Sequence, residues 1–196
     1  TELRKSWMKA QQLGPGQKED ITKNTPYMWL QAINQGSVQY QKARTIPIQS
    51  KKDAYLKEAE EAYITANFLW PDTSAKYNGY AYLANVHLEQ QRVDDAIKAL
   101  ERQITLHPSS SAYSILGRAY ILQGDEFKKA GNADESNRKY DQAITSLNNG
   151  IKFLKTDVSQ TDSARTAVSA ELNQILMNAY IAANRLSEAE SMFKMN

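Results

Sequence analysis

Apolar residues recur along this chain at intervals of three and four positions, with polar residues between them. The pattern is clearest over residues 59–69, 96–104 and 143–151, and a break follows each segment, at Pro71, Pro108 and Asp157. An average interval of 3.6 residues places such side chains on one face of an α-helix, and proline cannot continue a helix's hydrogen bonds. The pattern predicts amphipathic helices and gives little indication of strands.

The helical segments repeat in pairs with similar side-chain sizes at corresponding positions. One pair carries Tyr80, Leu83, Ala84 and His87, followed by Ala96, Leu100 and Pro108. The next carries Tyr113, Leu116, Gly117 and Tyr120, followed by Ala143 and Leu147. Parts recur at Ala59, Tyr63, Ala66 and Pro71, and at Leu176, Met177, Tyr180, Ala189 and Phe193. Small residues let paired helices approach closely, and large ones fill the space between pairs, so the pairs are expected to stack.

This order of residues resembles the tetratricopeptide repeat family, from about Tyr27 onward. The family's pattern is W-x2-L-G-x2-Y, then A-x3-F, then A and P, in about 34 residues. The resemblance implies an all-α, right-handed superhelical solenoid of about three and a half to four antiparallel helix pairs. It assigns residues 26–196 to the repeat domain and residues 1–25 to a short amino-terminal helix and linker.

The repeat spacing is uneven. The alanines at the small position, Ala59, Ala96, Ala143 and Ala189, are separated by 37, 47 and 46 residues. The first excess predicts a longer loop over residues 71–76. The second, about 14 residues in two antiparallel helices, adds about two turns to each. It predicts one elongated hairpin with its turn near Gly131. The third predicts a loop over residues 155–165.

The two ends depart from the repeat pattern. Leu3, Trp7, Ala10 and Leu13 suggest a short helix ending at Gly14-Pro15-Gly16. A second helix is expected over residues 27–43, opened by Asn24 or Thr25 with Pro26 in its first turn, and then a loop over residues 44–50. The last helix, residues 186–196, is expected to leave an apolar face near Ile181 and Phe193 exposed. Either truncation or a partner would explain that face.

Composition narrows the classes of function. The absence of cysteine excludes disulfides, thiolate metal sites and a cysteine nucleophile. A net charge of +2 disfavours a nucleic-acid binder held by phosphate contacts. No apolar run approaches the roughly 20 residues of a membrane span. An exported bacterial protein, in the periplasm or envelope, and a cytoplasmic one both stay open, with a slight preference for export.

The sequence gives little indication of catalytic or metal-binding chemistry. His87 and His107 lack a ligand set and are expected at packing and helix-end positions. Asp94 and Asp95 begin a predicted helix, where negative charge complements the helix terminus. Residues 14–18 lack the spacing of a phosphate loop. We therefore expect no enzyme, no cofactor and no metal, unless catalytic residues lie outside these 196 residues.

The candidate binding residues come from the resemblance. In this family the first helix of each pair lines a concave groove that holds peptides or partner helices. Ala81 occupies one groove position, where the family's carboxylate clamp requires lysine. The polar groove positions, here called the polar row, are Asn78, Asn85, Ser114, Arg118, Gln174 and Asn178. Asparagine amides can bond a peptide backbone, and Arg118 could hold a carboxylate through two bonds. An ordinary solvated polar face is the plainer interpretation.

The expected function is therefore a non-catalytic scaffold that binds a protein or peptide partner in the groove, with neither nucleic acid nor direct membrane insertion involved. The alternative is a structural packing module of a larger multidomain or envelope-associated complex. Such a module would make contact through its open carboxyl-terminal end or form a weak homodimer there.

Overall fold

The computed structural model describes residues 15–157 and 161–195, together with Lys5, Met8, Lys9 and Gln12. Within this part every regular element is an α-helix, which confirms the predicted all-α class. The chain divides into two compact units, residues 1–92 and 93–196. The predicted short helix over Leu3, Trp7, Ala10 and Leu13 lies outside the described residues.

The first unit contains α1 (Pro15–Thr45), α2 (Gln49–Leu69), α3 (Pro71–Lys76) and α4 (Gly79–Glu89). The second contains α5 (Val93–Leu106), α6 (Ser110–Lys129), α7 (Ala133–Thr156), α8 (Asp162–Ala182) and α9 (Leu186–Met195). Consecutive helices within each unit pack against each other, α2 also packs on α4, and α6 also packs on α8.

Several predicted boundaries differ from the structure. The first helix begins at Pro15 rather than at Asn24 or Thr25, so the predicted domain boundary after residue 25 falls inside α1. Pro15 suits a first helical position, where its missing N–H is not needed. Pro26 therefore lies inside the helix, where it removes one backbone hydrogen bond.

The expected loop over residues 71–76 is instead the short helix α3, which Pro71 begins. The other two loops are shorter than predicted. Residues 46–48 join α1 to α2, and α8 already begins at Asp162. Thr161 caps this helix, because its hydroxyl accepts a hydrogen bond from the Ala164 N–H at 3.3 Å.

The predicted elongated hairpin is present as α6 and α7, which have 20 and 24 residues and pack along their length. Gly117 permits their close approach, because a Cβ atom there would lie 2.6 Å from Leu147 Cγ. Further along, the Tyr140 hydroxyl donates a 2.7 Å bond to Asp125 and the Ser136 hydroxyl donates a 2.9 Å bond to the Gly124 carbonyl. The small residue in the family motif thus sits at the contact between the paired helices.

Three helices, α4, α6 and α8, end in the same backbone turn. In each turn one residue adopts the left-handed conformation, with φ of 60° at Gln91, 76° at Gly131 and 58° at Asn184. The next residue donates its N–H to a carbonyl five positions back, which satisfies an unpaired carbonyl at the helix end. These bonds join Arg92 to His87, Asn132 to Phe127 and Arg185 to Tyr180, at 2.8, 2.9 and 2.8 Å. The turn recurs although the sequence at its centre does not.

A partly buried carboxylate anchors the first of these turns. Glu60 on α2 accepts bonds from Gln90 at 3.0 Å and Arg92 at 2.6 Å, and His87 Nε2 lies 3.3 Å from it. Burial acts to raise the pKa of Glu60, but the bonds from Gln90 and Arg92 and the charges of Arg92 and His87 outweigh it, and the net pKa is lowered. His87 is buried, so it packs inside the first unit, as expected.

Gly117→Ala is expected to lower the free energy of unfolding by about 1–2 kcal/mol, because the added methyl overpacks the contact with Leu147. Urea denaturation of the full chain measures this. In a Leu147→Ala background the same change should cost nothing, since the obstructing side chain is gone. Equal costs in both backgrounds would contradict the close-approach explanation.

Glu60→Gln is expected to lower the free energy of unfolding near neutral pH by about 1–2 kcal/mol. Because the folded pKa of Glu60 is lowered, its contribution is fully present above the unfolded pKa and is lost as pH falls through the folded value. The variant should therefore show a flatter loss of stability below about pH 4.5 in denaturation series. Glu58→Gln, an exposed change on the same helix, is the matched control and should keep the parent's pH profile.

Candidate functional site

Two residues of the polar row, Ser114 and Arg118, meet at one acidic side chain. Both lie on α6, one helical turn apart, and both contact Glu171 on α8. The Ser114 hydroxyl donates to Glu171 Oε1 at 3.1 Å, and Arg118 Nη2 donates to the same oxygen at 2.5 Å. These contacts place polar side chains of α6 and α8 on one surface within the second unit.

Two more members of the polar row extend this surface along α8. Gln174 and Asn178 follow Glu171 by three and seven positions, so the three side chains share one helix face. Gln174 Nε2 lies 3.5 Å from Asn178 Oδ1, and both residues are exposed. Their amides can each donate and accept hydrogen bonds.

The remaining two members lie in the first unit. Asn78 precedes α4 in the left-handed conformation, with φ of 59°, and is half-buried. Asparagine tolerates that conformation better than most residues, so Asn78 has a backbone role at the helix start. Asn85 lies on α4 and is also half-buried. Ala81, expected to face the groove, is only 1% exposed and packs inside the unit, which corrects that expectation.

Glu171 is the residue that sequence reasoning missed. The repeat motif points to Gln174 and Asn178 on α8. Glu171 lies one helical turn before Gln174, outside the motif positions. Arg118 was expected to hold a carboxylate from a ligand through two bonds. It instead makes one Nη2 contact with a carboxylate of its own chain. The sequence does contain the opposite charges of Arg118 and Glu171. Only the packing of α6 against α8, however, reveals that these two side chains meet.

The ion pair between Arg118 and Glu171 lies at the surface. The two side chains are 50% and 52% exposed, so solvent screens their attraction. Exposed pairs of this kind contribute about 0–1 kcal/mol. A carboxylate from a binding partner could therefore replace Glu171 on Arg118 at little cost.

The other candidate chemical groups have structural positions. Asp94 and Asp95 lie in the first turn of α5, and Asp94 accepts a hydrogen bond from Gln123. His107 is exposed, and its carbonyl accepts a 2.9 Å bond from Gln103 Nε2. Among the described residues, no group of three or more His, Cys, Asp or Glu side chains is arranged to hold a metal ion. In the same part of the chain, no helix combines the length and apolar character that crossing a bilayer requires.

Comparison with known proteins leaves the family unassigned. No protein-family model matches this chain, and no curated protein sequence matches it. Function is therefore inferred from the side chains and contacts described above.

Proposed function

We propose that this protein is a non-catalytic interaction module whose helix pairs stack as in tetratricopeptide repeats, in a right-handed solenoid. It binds a peptide or helix of a partner protein along the facing sides of α6 and α8, where Ser114, Arg118, Gln174 and Asn178 of the polar row lie. The observation that carries this proposal is the contact of Ser114 and Arg118 with Glu171, which links α6 to α8 through polar side chains.

Repetition of the backbone supports the same proposal. The left-handed turns at Gln91, Gly131 and Asn184 have one geometry, and each is followed two residues later by the start of the next helix. The small motif residues Ala84, Ala96 and Ala143 are fully buried. Repeated hairpins with small residues at their contacts are the structural basis of stacked repeats.

The chemistry of the surface favours a partner that carries a carboxylate. Arg118 would exchange its bond to Glu171 for a bond to the partner's acid, while Gln174 and Asn178 bond to the partner's backbone. The exchange replaces one surface ion pair with another, so its energetic cost is small. Apolar burial against the helices would then supply most of the affinity.

The double variant Arg118→Ala/Asn178→Ala is expected to abolish capture of the partner and to change the free energy of unfolding by no more than about 1 kcal/mol. Affinity capture from the native organism, with the bound proteins identified by mass spectrometry, measures the first effect. Denaturation measures the second. Lys152→Ala, an exposed change on α7, is the matched control and should retain capture. A partner that binds the double variant as well as it binds the parent would place the interaction elsewhere.

Exposed apolar side chains favour a second candidate function, self-association or packing in a larger complex. Ile181 on α8 is 51% exposed, and Leu186 and Phe193 on α9 are 59% and 74% exposed. Side chains of this size become favourable contacts when a partner removes them from water. A carboxyl-terminal face of this kind would bind a second copy of the chain or a neighbouring subunit.

Under this second candidate the molar mass should rise with protein concentration in light scattering, and Phe193→Asp should return it to the monomer value. Leu122→Asp, which alters an apolar residue of α6 that is 44% exposed, is the control and should leave the association unchanged. A constant monomer mass for the parent chain across the concentration series would reject self-association.

A further inference from the structure

The second unit contains a groove that the polar row does not include. It encloses about 590 Å³ between α5 and α7, and α6 forms its base. The two outer helices each pack against α6. The volume lies within the range of about 300–1,000 Å³ that is usual for binding pockets.

This groove and the polar row lie on opposite sides of α6. Tyr113, Leu116 and Tyr120 form the base of the groove, whereas Ser114 and Arg118 face Glu171. Successive residues of an α-helix are rotated by about 100°, which separates the centres of these two sets by about 150°. Binding in the groove would therefore leave the polar row accessible.

The groove has a charged end and a neutral end. At the charged end the Tyr120 hydroxyl donates to Glu101 Oε1 on α5 at 3.3 Å, and Asp141 lies on the α7 side. At the neutral end, Asn149 of α7 lines the groove with Tyr113. Asp141 and Asn149 are eight residues apart on one helix, which corresponds to about 12 Å.

The bases near the charged end already have partners. Arg138 donates to Glu135 through Nε and Nη2, at 3.0 and 2.5 Å. Arg185 contacts Glu188 at 2.8 Å and Asp141 at 3.3 Å, so one guanidinium is paired with two carboxylates. Lys139 Nζ lies 5.6 Å from the ring centroid of Tyr120.

At the charged end of the groove, hydrogen-bond acceptors outnumber the donors that are paired with them. Among the described residues, the Tyr120 hydroxyl is the single side-chain partner of the Glu101 carboxylate. Burial and then the charge and hydrogen bond of Glu101 raise the pKa of Tyr120, as a nearby negative charge does. The groove thus has acceptors that an N–H-rich, positively charged group would satisfy.

Neutral polar side chains line both sides between the two ends. Thr105 lies on α5, and Gln142 and Thr145 lie on α7. These hydroxyl and amide groups can pair with the backbone of an extended peptide, whose N–H and C=O groups need partners. A helix already satisfies its own backbone, so it would leave these groups unused. Ile104 and Leu116 supply the apolar contact at mid-groove.

We propose that this groove binds an extended segment of about five residues from a partner protein, with a lysine or arginine at Glu101 and Asp141 and apolar side chains at alternate positions. Alternate side chains of an extended segment point to the same side, and four residue steps cover about 13 Å. That length matches the distance from Asp141 to Asn149. The pattern is lysine or arginine, any residue, apolar, any residue, apolar.

Synthetic peptides test this pattern directly. The probe is the acetylated, amidated heptapeptide Ser-Lys-Ser-Leu-Ser-Leu-Ser, titrated into isotope-labelled full chain and followed by NMR. Saturable shifts are expected at Thr105 and Thr145. Replacing the probe's lysine with glutamate, or both leucines with alanine, should weaken binding at least about tenfold. Equal affinity of the lysine and glutamate probes, or no saturation by about 1 mM probe, would overturn the proposal.

Three variants locate the site. Glu101→Gln keeps the acceptor for Tyr120 but removes the charge, and should weaken the lysine probe about tenfold. Thr145→Trp should fill the groove and abolish binding, while Asn137→Trp, on an exposed part of α7 outside the groove, should not. Thermal denaturation checks that each variant is folded.

Arg118→Ala separates this proposal from the proposed function. It should leave binding of the lysine probe unchanged, because Arg118 lies across α6 from the groove. Loss of probe binding in Arg118→Ala, or its retention at parent affinity in both Glu101→Gln and Thr145→Trp, would show that the probe binds elsewhere.

Discussion

The close approach of α6 and α7 at Gly117 is the constraint on which the second unit depends. With a Cβ atom at that position, Leu147 could not keep its place. Tight contact along this hairpin commits one side of α6 to α7. The two flanks of α6 are then left for other interactions: Ser114 and Arg118 face α8, and Tyr113 and Tyr120 face the groove.

The backbone conformation of the turns that end α4, α6 and α8 repeats more closely than the residue types at those positions do. Gln91, Gly131 and Asn184 share one left-handed conformation although glycine alone adopts it without steric cost. The first turn has support from outside itself, because the Glu60 carboxylate bonds Gln90 and Arg92. A costly conformation can thus be retained where neighbouring contacts hold the residues on either side.

The two candidate surfaces, the polar row and the groove, differ in how far their charges are compensated within the chain. On the polar row, Arg118 is already paired with Glu171 and both side chains are half-exposed, so a partner's carboxylate would exchange one weak ion pair for another. In the groove the bases are engaged with their own acids, while the Glu101 carboxylate has, within the described part of the chain, a single hydroxyl partner. Binding at Glu101 would add an ion pair rather than replace one, so charge should contribute more to selectivity in the groove.

Residue periodicity was sufficient for the helical class, and the uneven spacing of the repeat, with a glycine as turn signal, was sufficient for the elongated hairpin and its turn near Gly131. These features depend on neighbours within a few positions, and small or turn-forming residues mark them directly. The same local logic misplaced the start of α1, because proline favours a first turn over a helix interior, and α1 nevertheless continues through Pro26.

Tertiary structure decided which side chains meet. Glu171 reaches Ser114 and Arg118 from more than 50 positions away in sequence, and the groove combines residues of three helices. Neither is visible in a periodic pattern, because periodicity specifies the face of a helix that is apolar and not the partner that covers it. The chain's own sequence therefore determined its helices and their close contacts, whereas the packing of those helices determined which charged side chains compensate each other.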